Sequence, residues 1–207
     1  MVLATNNAKK LAELRRIVAE ATAEVRVLGL ADVVRYPEPA ETERTFAGNA
    51  LVKARACVAV TGLPALADDS GLEVAVLNGM PGVRSARWSG PEATDETNNE
   101  LLLRQLVGVP GAERTARFVC AMALVLPDGV EHVRLGELGG HVGTAPVGKN
   151  GFGYDSLFVP DGFTVTSAEL DAAAKDAISH RGLAVRAIVP VLLAELARLE
   201  SAERTGR

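Results

Sequence analysis

The chain has 207 residues, of which 48% are apolar and 23% charged, the balance of a globular protein that can bury a core without disulfide or metal staples. Lysine and arginine number 22 against 26 acids, a net charge of −4, which excludes a general nucleic-acid binder while leaving room for a local basic pocket. The longest uncharged apolar run, Phe118 to Leu126, is nine residues, well short of the ~20 that cross a bilayer.

Met1 to Ala4 reads as a short buried strand. Its apolar stretch is too brief for a signal-peptide core and its charges follow rather than precede it, so a cytoplasmic protein is expected. Thr5-Asn6-Asn7 leads into a helix with Leu11, Leu14, Val18 and Ala21 at helical spacing. Residues 35–44, RYPEPAETER, read as an exposed loop. Thr45 is a predicted N-cap for a helix to about Val60, with Phe46, Ala50, Ala54, Cys57 and Val58 inward and Gly62-Leu63-Pro64 as its stop.

Ala65-Leu66-Ala67 reads as a strand feeding a turn at Asp68-Asp69-Ser70-Gly71, with a further strand over 72–78. A glycine- and proline-rich stretch, 79–92, precedes a helix over 94–107. Strands at 116–126 and 130–138 join at Pro127-Asp128-Gly129 as a hairpin. A glycine-rich loop over 139–153 and a strand near 156–159 follow. The tail from about Ser167 is helical, with Pro190 a place for a kink or restart. Cys57 and Cys120 sit in apolar surroundings and read as reduced core residues. The whole suggests one α/β folding unit with a mixed sheet.

Residues 143–150, GTAPVGKN, come within one residue of a phosphate loop. Asn150 offers no hydroxyl for magnesium, however, and Gly151-Phe152-Gly153 does not begin a helix, so that reading is set aside. His132, His141 and His180 form no metal-spaced pair, and no serine occupies a nucleophile elbow.

Five segments carry chemistry. Asp68 and Asp69 are adjacent acids beside Ser70, and neighbouring carboxylates need a compensating cation or donor. Magnesium is one candidate, and an ordinary acidic turn is the other reading. Thr5, Asn6, Asn7, Ala8, Lys9 and Lys10 lie at a strand-to-helix junction, where free amides favour an anion and where a plain helix cap is the alternative. Asn49 and Lys53, four apart, share one helix face. Finally, Phe152-Gly153-Tyr154-Asp155 and Ser179-His180-Arg181 bring aromatic faces and polar edges suited to a nucleobase. Core packing and a helix start are the alternatives there.

Together these segments resemble the inosine triphosphate pyrophosphatase (dITP/XTP pyrophosphatase) family. The matching stretches are LATNNAKKLAEL (3–14), ETERTFAGNALVKA (41–54), LADDSGLEV (66–74), GMPGVRSARWSG (79–90), GFGYD (151–155) and KDAISHRG (175–182), in the family's order. Asn6 and Ala8 stand where the family carries glycines, Glu43 where a glycine is common, and Ser156 where a proline is usual.

The resemblance implies an elongated two-lobed α/β fold with a central twisted mixed sheet flanked by helices and a cleft between the lobes. It also implies a magnesium-dependent hydrolysis of ITP, dITP and XTP to monophosphate and pyrophosphate, by a homodimer without nucleic-acid or membrane partners. By the same resemblance Glu41 and Asp69 hold the metal. Asp69 is the general base, with Asp68 sharing the role or placing the water. Lys53, Lys10 and residues 5–7 grip the phosphates, with Ser70 nearby. Phe152 stacks on the base, while Tyr154, Asp155, Lys175, Ser179, His180 and Arg181 surround its edge. A Maf-type pyrophosphatase of other nucleotides and a non-catalytic nucleotide-binding module are the competing readings.

Overall fold

The computed structural model describes residues 1–22, 25–34 and 36–205, with side chains for all of these but Lys9, Ala21, Glu203 and Thr205. Its elements are β1 (Val2–Leu3), α1 (Ala8–Ala21), α2 (Phe46–Thr61), β2 (Ala65–Val74), β3 (Met80–Pro81), α3 (Asp95–Gln105), β4 (Thr115–Val125), β5 (Glu131–Val142), β6 (Phe158–Pro160), α4 (Ala172–Ile178) and α5 (His180–Thr205). The strands form one sheet in the order β1-β2-β4-β5-β6, with β3 also on β2. β1 runs parallel to β2, Val2 opposite Ala65 and Leu3 opposite Leu66, whereas β3 pairs β2 and β6 pairs β5 antiparallel. The sheet is therefore mixed and the class α/β, as the alternation of patterns predicts.

The chain forms two compact units. One comprises Met1–Asp69, Ala121–Gly136 and Gly182–Arg207, the other Ser70–Cys120 and Glu137–Arg181. The first is built on Val2 and Leu3, the α1 face of Leu14, Ile17 and Val18, and the α2 face of Ala50, Ala54 and Cys57, all buried. In the second, Leu72, Val74, Leu102, Leu106, Phe118, Leu157 and Phe158 form one apolar cluster. Both cysteines are buried and neither is in a disulfide.

α2 begins where the sequence signals it. The Thr45 hydroxyl accepts from the Gly48 N–H at 3.0 Å, and Gly62, at φ 65°, closes the far end in the left-handed conformation that favours glycine. The hairpin also forms as predicted, with Leu126 N–H bonded to the Val130 carbonyl at 2.9 Å.

Four expectations need correction. Asp68-Asp69-Ser70-Gly71 is not a turn, because β2 runs unbroken from Ala65 to Val74 and is buried along nearly its whole length. Burial of the flanking apolar residues outweighs the turn preference of Asp and Gly. The expected strand over 72–78 correspondingly ends at Val74, and Ala75–Leu77 is a 3-10 turn. β5 extends to Val142 and takes in Gly139 and Gly140. The bare backbone is needed there, since a Cβ on Gly140 would run into the Val159 carbonyl oxygen of β6. The helical tail restarts at Ser179, whereas Pro190 lies within α5. Pro190 is exposed, on the outer side of the helix, where a residue without an N–H is tolerated best.

Candidate active site

In the first unit, β2 and α2 assemble a buried charged cluster. α2 turns Asn49 (0% exposed) and Lys53 (6%) inward, so the two polar residues four apart share the buried face. Asn49 Nδ2 donates to Asp69 Oδ2 at 2.9 Å. Lys53 Nζ lies 3.4 Å from Asp69 Oδ1 and 2.6 Å from Glu41 Oε1, and donates to the Asp68 backbone carbonyl at 3.2 Å. Glu41 and Asp69, distant in sequence, thus meet at one ammonium.

Asp68 has a different counterion. The pleat of a strand sends adjacent side chains to opposite faces, and Asp68 Oδ2 pairs with Lys10 Nζ of α1 at 2.9 Å. The repulsion expected of two neighbouring acids is relieved in this way: each meets its own cation. Asp68 and Asp69 are 3% and 6% exposed, so breaking either pair would leave an uncompensated buried charge.

Burial pushes the Asp69 carboxyl above the usual carboxylate range, against the pull of Lys53 and the Asn49 hydrogen bond and with a further push from Glu41. Burial alone would lower Lys53. Asp69 and Glu41, with help from Asp68, more than offset it and hold the ammonium above its ordinary value. A carboxylate displaced toward neutral pH beside a permanent cation suits proton acceptance.

Glu41 and Asp69 are donors of the kind a hard divalent cation takes, and both reach the same ammonium. Among the described residues no three His, Cys, Asp or Glu side chains form a metal cage. That is compatible with magnesium, which binds through one or two carboxylates and completes its shell from phosphate oxygens and water.

At the β1–α1 junction, Asn7 acts as the helix cap, its Oδ1 accepting from Lys10 N–H at 3.3 Å. Asn7 N–H donates to the Thr5 hydroxyl at 3.2 Å. Asn6 Nδ2 donates to Glu38 at 2.9 Å, tying the junction to the loop that carries Glu41. Asn6, Asn7 and Ala8 are exposed. Ser70 follows Asp69 in β2 and is half-buried, while the Lys9 side chain lies outside the described residues.

The second unit gathers the aromatic segment. Phe152 is half-buried, with Lys175 Nζ and Arg181 Cζ each 5.6 Å from its ring centroid. Asp155 Oδ2 accepts from Lys175 at 2.5 Å and from the Phe152 N–H at 2.9 Å. Gly151, at φ 81°, makes room for this pair, because a Cβ there would meet both the Asp155 carboxylate and Lys175 Nζ.

Ser179 is buried at the break between α4 and α5, its N–H bonded to the Lys175 carbonyl at 2.8 Å. His180 and Arg181 begin α5, and the His180 ring stacks on Phe118 at 4.8 Å and 12°. Tyr154 faces inward. It is 4% exposed, packs in the apolar cluster and donates its hydroxyl to the Ser85 carbonyl at 2.8 Å. Burial, with Asp95 nearby, raises its pKa and keeps it protonated.

Sequence reading missed two contributors. Gly153 N–H donates to Asp95 Oδ2 at 2.7 Å, and Asn99 Nδ2 donates to the Gly153 carbonyl at 3.1 Å. The available signal was a helix start, Thr94-Asp95, followed by Asn98 and Asn99, polar residues that α3 buries.

The sequence description of the Ham1 family matches residues 1–191. The chain belongs to the Ham1 family. It is 59% identical over 198 residues to a dITP/XTP pyrophosphatase of Cutibacterium acnes, covering 95% of this chain and 97% of that one. Among solved structures, a nucleoside-triphosphatase / dITP/XTP pyrophosphatase of Mycobacterium abscessus is 50% identical with TM-score 0.76, covering 91% of this chain and 98% of the other. A HAM1 protein of Coxiella burnetii is 40% identical with TM-score 0.84, covering 93% and 98%. The Ham1 match includes every residue of both clusters. No helix among the described residues is long and apolar enough to cross a membrane.

Proposed function

We propose that this chain cleaves dITP, ITP and XTP to the monophosphate and pyrophosphate with magnesium, removing non-standard purines from the nucleotide pool. As a Ham1 protein of this identity to dITP/XTP pyrophosphatases it is a hydrolase of phosphoric anhydrides. The observation that carries the reading is the meeting of Glu41, Lys53, Asn49 and Asp69 in one buried cluster. Such a cluster costs stability and is suited to holding a polyphosphate with its cation.

In this reading Glu41 and Asp69 hold a divalent cation, which when bound neutralises phosphate oxygens and the pyrophosphate leaving group. Asp69, raised by burial, accepts the proton of the water whose oxygen bonds to the α-phosphorus. The bond from that phosphorus to the oxygen bridging to the β-phosphate breaks, and pyrophosphate leaves with the electron pair. Lys53 and Lys10 stabilise the charge that spreads over the phosphates. Asp68 keeps Lys10 in place, and Thr5, Asn6 and Asn7 offer further donors to the triphosphate.

On the base, Phe152 stacks, with Lys175 and Arg181 beside its ring. His180 and Arg181 supply donors to the oxo group at the six-position of hypoxanthine or xanthine. Adenine carries an amino donor there and would leave them unmatched inside a buried site, a mismatch that sites built on hydrogen bonds reject strongly. A cytoplasmic homodimer completes the proposal.

The test is pyrophosphate release from ITP, XTP, GTP and ATP, with and without magnesium, by the wild type and Asp69→Asn. The expected result is metal-dependent cleavage of ITP and XTP, little of GTP and ATP, and loss of activity in the variant. Near-normal ITP cleavage by Asp69→Asn would remove that residue from its role, and orthophosphate as the product would overturn the reaction.

A further inference from the structure

Asp95 and Asn99, four residues apart at the start of α3, share one helix face, and both take hold of Gly153. Asp95 Oδ2 accepts the Gly153 N–H at 2.7 Å. Asn99 Nδ2 donates to the Gly153 carbonyl at 3.1 Å and lies 3.4 Å from the Ser156 hydroxyl. The peptide planes on either side of this glycine, itself at φ 61°, are therefore both fixed from α3. Phe152, the residue before it, is held at its own N–H by Asp155 and at the next N–H by Asp95. Its backbone is pinned between two carboxylates, which leaves the ring only its side-chain torsions.

The arrangement has costs that packing alone would not impose. Asn99 is 7% exposed, yet its Oδ1 is buried without a hydrogen-bond partner, a state that typically costs about 1–3 kcal/mol. Asp95 is the gentler half, because a carboxylate in the first turn of a helix is favoured by the helix dipole. A buried amide with an orphaned oxygen calls for a reason, and the bonds Asn99 does make run to Gly153 and Ser156.

We propose that Asp95 and Asn99 are positioning residues for purine selection, acting through Gly153 on Phe152 and Asp155. The inference rests on the base-stacking role proposed above for Phe152, beside which Asp155 holds Lys175. Neither Asp95 nor Asn99 needs to touch the nucleotide. They set the plane on which the base stacks and the place of the carboxylate beside Lys175.

The test is steady-state kinetics of the full chain on ITP and GTP with magnesium, for wild type, Asp95→Ala, Asp95→Asn and Asn99→Ala, with a melting temperature for each. In both alanine variants KM for ITP should rise about tenfold with kcat within about twofold, the size of one charge-assisted or buried hydrogen bond, and the preference for ITP over GTP should fall. Asp95→Asn keeps an acceptor for the Gly153 N–H and should recover most of the loss, a rescue that a merely structural role would not produce. If Asn99→Ala fails to fold, the contrast between Asp95→Ala and Asp95→Asn decides. Unchanged KM and preference in the alanine variants, or an equal loss of kcat on both nucleotides without rescue, overturns the inference alone. A wild type that does not favour ITP overturns the proposed function and this inference with it.

Discussion

Lys53 shows how much one side chain can be asked to do. It is 6% exposed and neutralises Glu41 and Asp69 at once. Lys53→Ala should cost about 3 kcal/mol of stability by leaving the buried Asp69 carboxylate without its cation, read as a fall in urea midpoint. It should also lower kcat and raise KM for ITP together, since the ammonium acts on both bound and reacting phosphates. Wild-type kinetics would exclude Lys53 from the site. Gly151 tests the second cluster. Gly151→Ala combines a strained φ of 81° with a collision against Asp155 and Lys175, so KM for ITP should rise by about an order of magnitude with kcat largely kept, measured by initial rates. At this scale the sequence was partly legible. The spacing of Asn49 and Lys53 announces a shared face, but that Glu41 reaches the same point depends on how an irregular loop folds back, which no local pattern records.

Among the elements, α2 joins local signals to the chemistry most directly. Its cap, its stop and its inward face are all readable in order, because each rests on neighbours within four residues. Thr45→Ala removes the hydroxyl that accepts from Gly48 and should cost about 1 kcal/mol, visible as a lower urea midpoint with an unchanged slope. β2 was less legible. Asp, Asp, Ser and Gly in succession are turn formers by local preference, and only the buried strand environment overrides that. The same is true of Gly139 and Gly140, which read as loop residues and belong to β5, Gly140 pairing with Pro160 of β6. A helix start at Ser179 is legible as the plain alternative to a base-edge role, but proline, the stronger local signal for a break, sits eleven residues later in α5, on its wet side.

For the molecule as a whole, the α/β class and the mixed sheet follow from the alternation of patterns, whereas the division into two compact units does not. Each unit is assembled from separate lengths of chain, and the crossings fall inside β2, β4 and β5 and in the first turn of α5. No linker marks them in the sequence because none exists.

Surface charge sets a separate global property. Arg198 bonds to Glu195 and Asp128, and Arg55 to Glu131. These bonds hold all three carboxyls below their ordinary range, with His132 adding to the effect on Glu195. Lowered carboxylate pKa values give stability that is complete above the unfolded range and lost as the pH falls through the folded values. Arg198→Gln should therefore lower the melting temperature at neutral pH and shrink its further drop between about pH 6 and about pH 3, followed by thermal melts across that interval. An equally steep acid limb in the variant would show that the two Arg198 pairs contribute nothing.

The alternation along β2 carries one more consequence. Odd and even positions there answer to different helices, so a single-residue deletion between Pro64 and Ala67 would exchange the surroundings of Asp68 and Asp69 wholesale. A two-residue deletion would preserve their sidedness while shortening the strand. Parity in this short stretch, more than the bare presence of two aspartates, is what inheritance has to protect.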